Sequence, residues 1–363
     1  MNYAVMTAIE QEASDLHITE NKEIWIRANG IFTKLDCKVT LADMDEFIEY
    51  VVPNVNEEYS KLRNNSRINP IDGSFFYMGR RFRINIYRGM DGINMALRLL
   101  SDEIQSLEKL CLPSAITNFI KIQSGLFLVV GTTGSGKSTT LASMINEINH
   151  QRSENILTIE QPIEYIHIPH KSRIEQIEVG VHVDSFKTAT IAAMRQNPNI
   201  ILVGEMRDLD TIQNAITLAE TGHVVYGTLH AKSVTDAVDR IIDVFDPKQQ
   251  EQIRMQLAGV LKGILHQSLI RSVNGGLVPL VELLAVDDVV SAMILEKQKS
   301  NAIRDYMRGK SAFGNVHIAD NAAWHIQNGR LSLDNIKNIL SQDDYSMAKN
   351  ISNSQNTRRG FGG

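Results

Sequence analysis

The chain has 363 residues, 43% of them hydrophobic and 22% charged, which excludes a wholly disordered protein and predicts about two domains. Its 37 Lys and Arg stand against 42 Asp and Glu, a net charge of −5 that argues against a protein built to coat nucleic acid. The two cysteines, Cys37 and Cys111, lie far apart without a C-x-x-C pair, which excludes a disulfide scaffold and a cysteine zinc site and suits a reducing compartment.

The first residues carry neither the basic nor the apolar region of a signal peptide, so a cytoplasmic protein is expected. Residues 1–105 read as an α+β unit. Ile24, Trp25, Ile26 and Arg27 precede Asn29-Gly30 as a strand and turn. Residues 44–52 suit a short amphipathic helix. Residues 81–88 alternate, with Phe82, Ile84 and Ile86 on one face and Arg81, Arg83, Asn85 and Tyr87 on the other.

Residues 106–113 read as a linker and a candidate hinge, closed by Pro113. From there to residue 340, strands and helices alternate, which predicts an α/β domain with a mostly parallel sheet. Residues 126–130, 156–159, 200–203 and 224–228 suit its strands. Leu141, Met144, Ile145 and Ile148 keep a helical period. Further helices are expected at 208–221, 233–245 and 249–271, the last from Ile253, Leu257, Val260, Ile264 and Leu265. The apolar stretch 277–290 carries Glu282, Asp287 and Asp288 and cannot cross a bilayer. Residues 341–363, rich in Asn, Ser, Asp and Gly, are expected to form a loose tail.

Gly131-Thr132-Thr133-Gly134-Ser135-Gly136-Lys137-Ser138 fits G-x-x-x-x-G-K-[ST], between an apolar strand and a helix. Glycines let the backbone curl until several N–H groups face one anion, and the helix N-terminus adds positive potential. Thr132, Thr133, Gly134, Ser135, Gly136, Lys137, Ser138 and Thr139 are therefore the candidate phosphate cradle for ATP. Lys137 would charge-match the β and γ phosphates, and Ser138 would ligate Mg²⁺.

Glu205 closes an apolar strand after Gly204. It is the candidate for holding Mg²⁺ through water; the competing reading is an acid that starts the next helix. Glu160 and Glu164 follow another strand, with Pro162 between them breaking any helix. Glu164 is the candidate general base and Glu160 a supporting acid, against the reading of both as solvated loop acids. His230 ends the strand at 224–228 and could hydrogen-bond a γ-phosphate; His223 precedes that strand. Each is otherwise a structural histidine. His167 and His170 flank Pro169 with no third ligand nearby, so a solvated loop is expected there rather than metal. Arg81, Arg83, Arg88 and Arg98 form a wet strand face, a nucleic-acid platform with the neighbouring Phe and Tyr, or a source of phosphate-stabilising arginines across a subunit contact.

Together these motifs resemble the secretion ATPase superfamily, and within it the twitching-motility retraction ATPases of the PilT family. Ala13-Ser14-Asp15-Leu16-His17-Ile18 resembles an early signature of that family, residues 131–138 its Walker A element and 158–164 its aspartate box. Residues 203–208 resemble its Walker B element, and 219–223 with 227–230 its histidine box. The resemblance implies a PAS-like N-terminal domain followed by a RecA-like P-loop ATPase domain, with ATP held in the cleft between them. It implies a homohexamer and an inner-membrane pilus platform partner, with the protein at the inner face of the membrane. By the same resemblance Glu164 is the catalytic glutamate, Glu205 the Walker B acid, His230 the histidine-box residue, and Arg83 and Arg98 the arginines that approach the nucleotide.

The sequence departs from the family pattern at two single positions and over one stretch. Gln161 stands where an Asp is common and Ala231 where a Thr is usual. Residues 289–296 read V-V-S-A-M-I-L-E where the retraction branch carries A-I-R-N-L-I-R-E. The expected task is pilus retraction. A motor of a type IV secretion or conjugation apparatus and a RecA-type nucleic-acid motor are the alternatives. A GTP switch is disfavoured, because no N-K-x-D element follows the loop.

Overall fold

Alternating apolar residues build an antiparallel sheet in the first third of the chain. Helix α1 (Asn2–Glu10) leads into β1 (Asp15–Thr19), β2 (Glu23–Ala28) and β3 (Ile31–Lys38). Helices α2 (Leu41–Val51) and α3 (Asn56–Arg63) precede β4 (Ile71–Tyr77), β5 (Arg80–Gly89) and β6 (Gly92–Leu99). The strand order is β3-β2-β1-β6-β5-β4, antiparallel throughout. Leu16, Ile24, Ile26, Phe82, Ile84 and Ile86 share one core with Val5, Ala8, Met44 and Ile48 of α1 and α2. A capping box between Thr40 and Asp43 starts α2. The alternation of Phe82, Ile84 and Ile86 is seen as expected. Arg81, expected on the wet face, is instead buried, and its guanidinium donates to Ser74 Oγ at 3.1 Å.

The computed structural model describes residues 1–28, 31–52, 56–66, 69–100, 103–298, 300–309 and 314–354. The Asn29-Gly30 turn lies outside them. The described chain divides into two units: Met1–Glu103 with Glu164–Ile166, and Ile104–Ile163 with His167–Gly363.

The second unit opens with a 3-10 helix (Ser114–Lys121), then β7 (Gly125–Val130), α4 (Lys137–Gln151), β8 (Asn155–Glu160) and β9 (Arg173–Glu178). Next come α5 (Phe186–Ala193), β10 (Ile200–Val203), α6 (Leu209–Glu220), β11 (Val224–Leu229), α7 (Val234–Asp243) and α8 (Gln250–Val260). Strands β12 (Leu261–Arg271) and β13 (Leu277–Ala285) complete the sheet. Its order is β13-β12-β7-β11-β10-β8-β9, parallel except where β13 turns back on β12. Helices on the faces explain why β7, β10 and β11 are buried along their whole length. The chain is therefore α/β, as its strand–helix alternation predicts.

Three expectations are corrected. The helix expected over 249–271 ends at Val260, and Leu261 turns to an extended backbone. The apolar spacing that looked helical instead lets β12 fill the slot beside β7, where Ile264 pairs with Leu128 and Leu265 with Val129. The segment 106–113, expected as a linker, belongs to the second unit and buries Leu107 and Leu112 in its core. After β13 come α9 (Asp288–Leu295), α10 (Ser300–Gly309), α11 (Ile318–Gln327) and α12 (Leu333–Ile336), and the start of the expected tail is helix too, α13 (Gln342–Asn353). Helix α13 is held by buried Ala348 and by Asp344, whose oxygens lie 3.4 Å from the guanidiniums of Arg304 and Arg308.

Candidate nucleotide site

The phosphate loop hangs between the end of β7 and the start of α4. Two of its glycines take left-handed backbones, φ +76° at Gly134 and +85° at Gly136, which L side chains adopt only under strain. Gly136 caps α4 without a side-chain hydrogen bond, so the 15-residue helix presents its N-terminus to the loop. Thr132, Thr133 and Gly134 form the exposed tip, while Gly136, Lys137, Ser138 and Thr139 are half-buried. The Lys137 ammonium folds back to donate to the carbonyls of Gly131 at 3.0 Å and Thr132 at 2.9 Å. Ser135 is buried and, among the described residues, its Oγ has no hydrogen-bond partner. A hydroxyl stranded beside curled backbone amides and an ammonium is the donor set a phosphate would complete.

The second half of the site comes from the neighbouring strands. β11 lies between β7 and β10, so Glu205, just past β10, stands two strand spacings from the loop, roughly 10 Å. The turn carrying it is tied on both sides: Gly204 N–H donates to Ile159 O at 2.7 Å and Met206 N–H to Thr228 O at 2.9 Å. Gly204 has to be small, because a Cβ there would come within 3.0 Å of the Ile159 carbonyl. His230, just past β11, sets Nε2 3.1 Å from Glu205 Oε1, and Arg207 Nε pairs with the same oxygen. Hydroxyl and carboxylate oxygens at Ser138 and Glu205 are the hard donors Mg²⁺ prefers when substrate phosphates and water supply the rest. Among the described residues no three His, Cys, Asp or Glu side chains cluster as an all-protein metal cage.

A chamber of about 210 Å³ opens beside the loop. Gly136, Thr139, Thr140, Lys109, Leu269 and Pro279 are among the residues that line it.

A family model described as type II/IV secretion system protein matches residues 1–356. The chain belongs to that family. It is 38% identical over 252 residues to the uncharacterized protein YggR of Escherichia coli K12, covering 69% of this chain and 77% of that one. It is 35% identical over 288 residues to the type IV pilus retraction ATPase PilT of Pseudomonas aeruginosa, 79% of this chain and 83% of that one. The crystal structure of the pilus retraction motor PilT with bound ADP matches it with a TM-score of 0.84 and 36% identity, over 94% of this chain and 97% of that one. This is a PilT-like secretion ATPase.

The remaining expected residues of this secretion ATPase fall in several places. Glu160 is held by Thr158 Oγ1 at 2.7 Å and Gln176 Nε2 at 3.3 Å, at the end of β8, three strands from the loop. Glu164 groups with the first unit. Arg83 and Arg98 are directly opposed across β5 and β6. Arg98 Nε donates to Asp15 at 2.9 Å, and Arg83 lies 3.6 Å from Asp72. His223 sits at the opposite end of β11, beside Gly125 rather than the loop, roughly 20 Å from His230 along the strand. Its Nδ1 contacts Leu218 O at 2.9 Å, a structural bond. His167 is not in a wet loop: it is buried, and burial pulls its pKa down to about 4.

Sequence reasoning missed Gln267 on β12. Its Nε2 donates to Ser135 O at 2.7 Å and its Oε1 accepts from Thr140 Oγ1 at 2.8 Å. No local motif marks it, because its partners lie 132 and 127 residues away.

Proposed function

We propose that this chain is the Mg²⁺-dependent ATPase motor of a type IV pilus, working as a homohexamer at the inner face of the cell membrane and powering retraction of the pilus. The observation that carries the reading is the likeness to the PilT retraction motor over 94% of the chain, with the phosphate loop intact in sequence and geometry. Among the described residues no helix is long and apolar enough to cross a membrane, so the motor would act on a separate platform protein.

In this reading the amides of residues 132–139 and the Lys137 ammonium bind the β and γ phosphates, and Lys137 exchanges its two carbonyl partners for phosphate oxygens. The unpartnered Ser135 hydroxyl donates to the same anion. The chamber beside Gly136 and Thr139 takes the nucleoside. Ser138 and, through water, Glu205 hold Mg²⁺, which neutralises charge building on the phosphates. Glu164 orients and deprotonates the attacking water, and His230 hydrogen-bonds the departing γ-phosphate while fixing Glu205. Arg83 and Arg98 leave Asp72 and Asp15 to stabilise the transferring group from a neighbouring subunit.

A second reading, a motor of a related secretion apparatus, is favoured by one observation: residues 289–296 lack the two arginines of the retraction branch. Deleting the gene and counting surface pili separates them. Excess pili with lost twitching support retraction, and loss of pili indicates assembly. Unchanged pili with lost protein export support the second reading.

A further inference from the structure

Strand β12 runs parallel to β7 and continues past it. His266 pairs with Val130, the last residue of β7, so Gln267 arrives level with the first residue of the phosphate loop. Its side chain is 3% exposed. From there it meets the loop at three points. A Cβ on Gly131 would collide with the Gln267 backbone carbonyl, and one on Gly136 would come within 2.7 Å of Gln267 Nε2. Between them, the carboxamide donates to the Ser135 carbonyl and accepts from the Thr140 hydroxyl. The orientation of the amide follows from chemistry, because a carbonyl only accepts and the nitrogen must face it.

We infer that Gln267 is a positioning residue for nucleotide binding: its buried carboxamide braces the phosphate loop from the adjacent strand and so sets the affinity for ATP. This rests on the reading of the loop as the nucleotide site. The physical argument concerns entropy. Glycines at 131, 134 and 136 let the loop curl but also let it wander, and a loop that must be ordered by its ligand binds more weakly. Gln267 orders it beforehand by tying the middle of the loop, at Ser135, to the first turns of α4, at Thr140. Both partners are buried, so removing the amide leaves a carbonyl and a hydroxyl unpaired, and the loop rearranges to recover them. Gln267 touches the loop rather than the reacting atoms. The loss should therefore fall on ground state and transition state alike and appear in KM rather than kcat.

The test is steady-state ATPase kinetics with equilibrium ATP titration on the full chain. Gln267→Met keeps the volume and removes both bonds. It should raise KM and Kd for ATP about tenfold while kcat stays within about threefold. Thr140→Val removes one partner and should raise them about threefold, whereas Thr140→Ser, which keeps the hydroxyl, restores wild-type affinity. Because the two side chains act through one amide, the double variant should be no worse than Gln267→Met alone. Wild-type Kd in folded Gln267→Met protein overturns the inference. Should that variant not fold, equal Kd values for Thr140→Val and Thr140→Ser overturn it instead. Lys137→Ala, run alongside, separates this inference from the reading beneath it. If Lys137→Ala loses ATP while Gln267→Met does not, only the bracing role fails; if Lys137→Ala binds as wild type, the loop is not the nucleotide site.

Discussion

His230 Nε2 stands 3.1 Å from Glu205 Oε1, joining the ends of β11 and β10 on the side of the sheet where the phosphate loop lies. Among the described residues that buried oxygen makes ion contacts with His230 and Arg207 but no well-directed hydrogen bond. Glu205→Gln preserves shape and removes the charge. Turnover should fall about 10²–10³-fold with ATP affinity nearly unchanged, as expected for lost transition-state charge stabilisation. His230→Ala should cost less, about tenfold, because Arg207 still faces the carboxylate. Phosphate release beside ATP titration measures both. Wild-type turnover in Glu205→Gln would remove this carboxylate from the chemistry.

Glu164 offers a separate test. As general base it should be dispensable for binding and needed for hydrolysis. Glu164→Ala should lower turnover by roughly 10²–10⁴ while ATP still binds. A variant that loses affinity and keeps kcat would instead make Glu164 a binding residue.

The loop glycines should differ among themselves. Gly134 and Gly136 both carry positive φ, so alanine costs each about 1–3 kcal/mol of backbone strain. Around Gly134 nothing lies within 4 Å of a Cβ, whereas at Gly136 the Cβ meets Gln267 Nε2 at 2.7 Å. Gly134→Ala should therefore keep most of its ATP affinity. Gly136→Ala should lose affinity and melt several degrees lower. Calorimetry and ATP titration on the two proteins decide it, and equal losses would mean that strain alone matters.

How much of this was legible in the sequence depended on how locally each feature is encoded. Strands β7, β10 and β11 are short apolar runs because helices cover both faces, and the loop is a contiguous motif, so both could be read directly. β12 could not. Ile253, Leu257, Val260, Ile264 and Leu265 hold a helical spacing across the junction at Val260, and that spacing carried the reading past Gly259 and Gly263, the glycines that flank the helix end. The polar composition after Ser341 concealed α13, whose Asp344 is buried only because Arg304 and Arg308 come to meet it. The burial of Arg81 and the bracing by Gln267 follow from neighbours that pairing of distant strands supplies. The pairing of Arg83 with Arg98 across β5 and β6 likewise needed the register of the sheet.

Buried histidines give the second unit a pH dependence whose sign can be worked out. His167 is 6% exposed, and burial pushes its pKa down to about 4 from the ordinary 6.5. Among the described residues its Nδ1 has no hydrogen-bond partner. His325, fully buried, is pushed to about 4 for the same reason, opposed by its contact with Pro279 O. Between about pH 6.5 and pH 4 the unfolded chain binds protons that the folded one refuses, so stability is complete above that window and falls as pH drops through it. At about pH 5 each such histidine costs on the order of 2 kcal/mol, enough to lower the melting temperature by several degrees. His167→Leu cannot take up the proton. Its melting temperature should fall less than that of the wild type when the pH is taken from about 7.5 to about 5, a comparison that differential scanning fluorimetry makes directly. An identical fall in both proteins would show that His167 is not among the groups responsible.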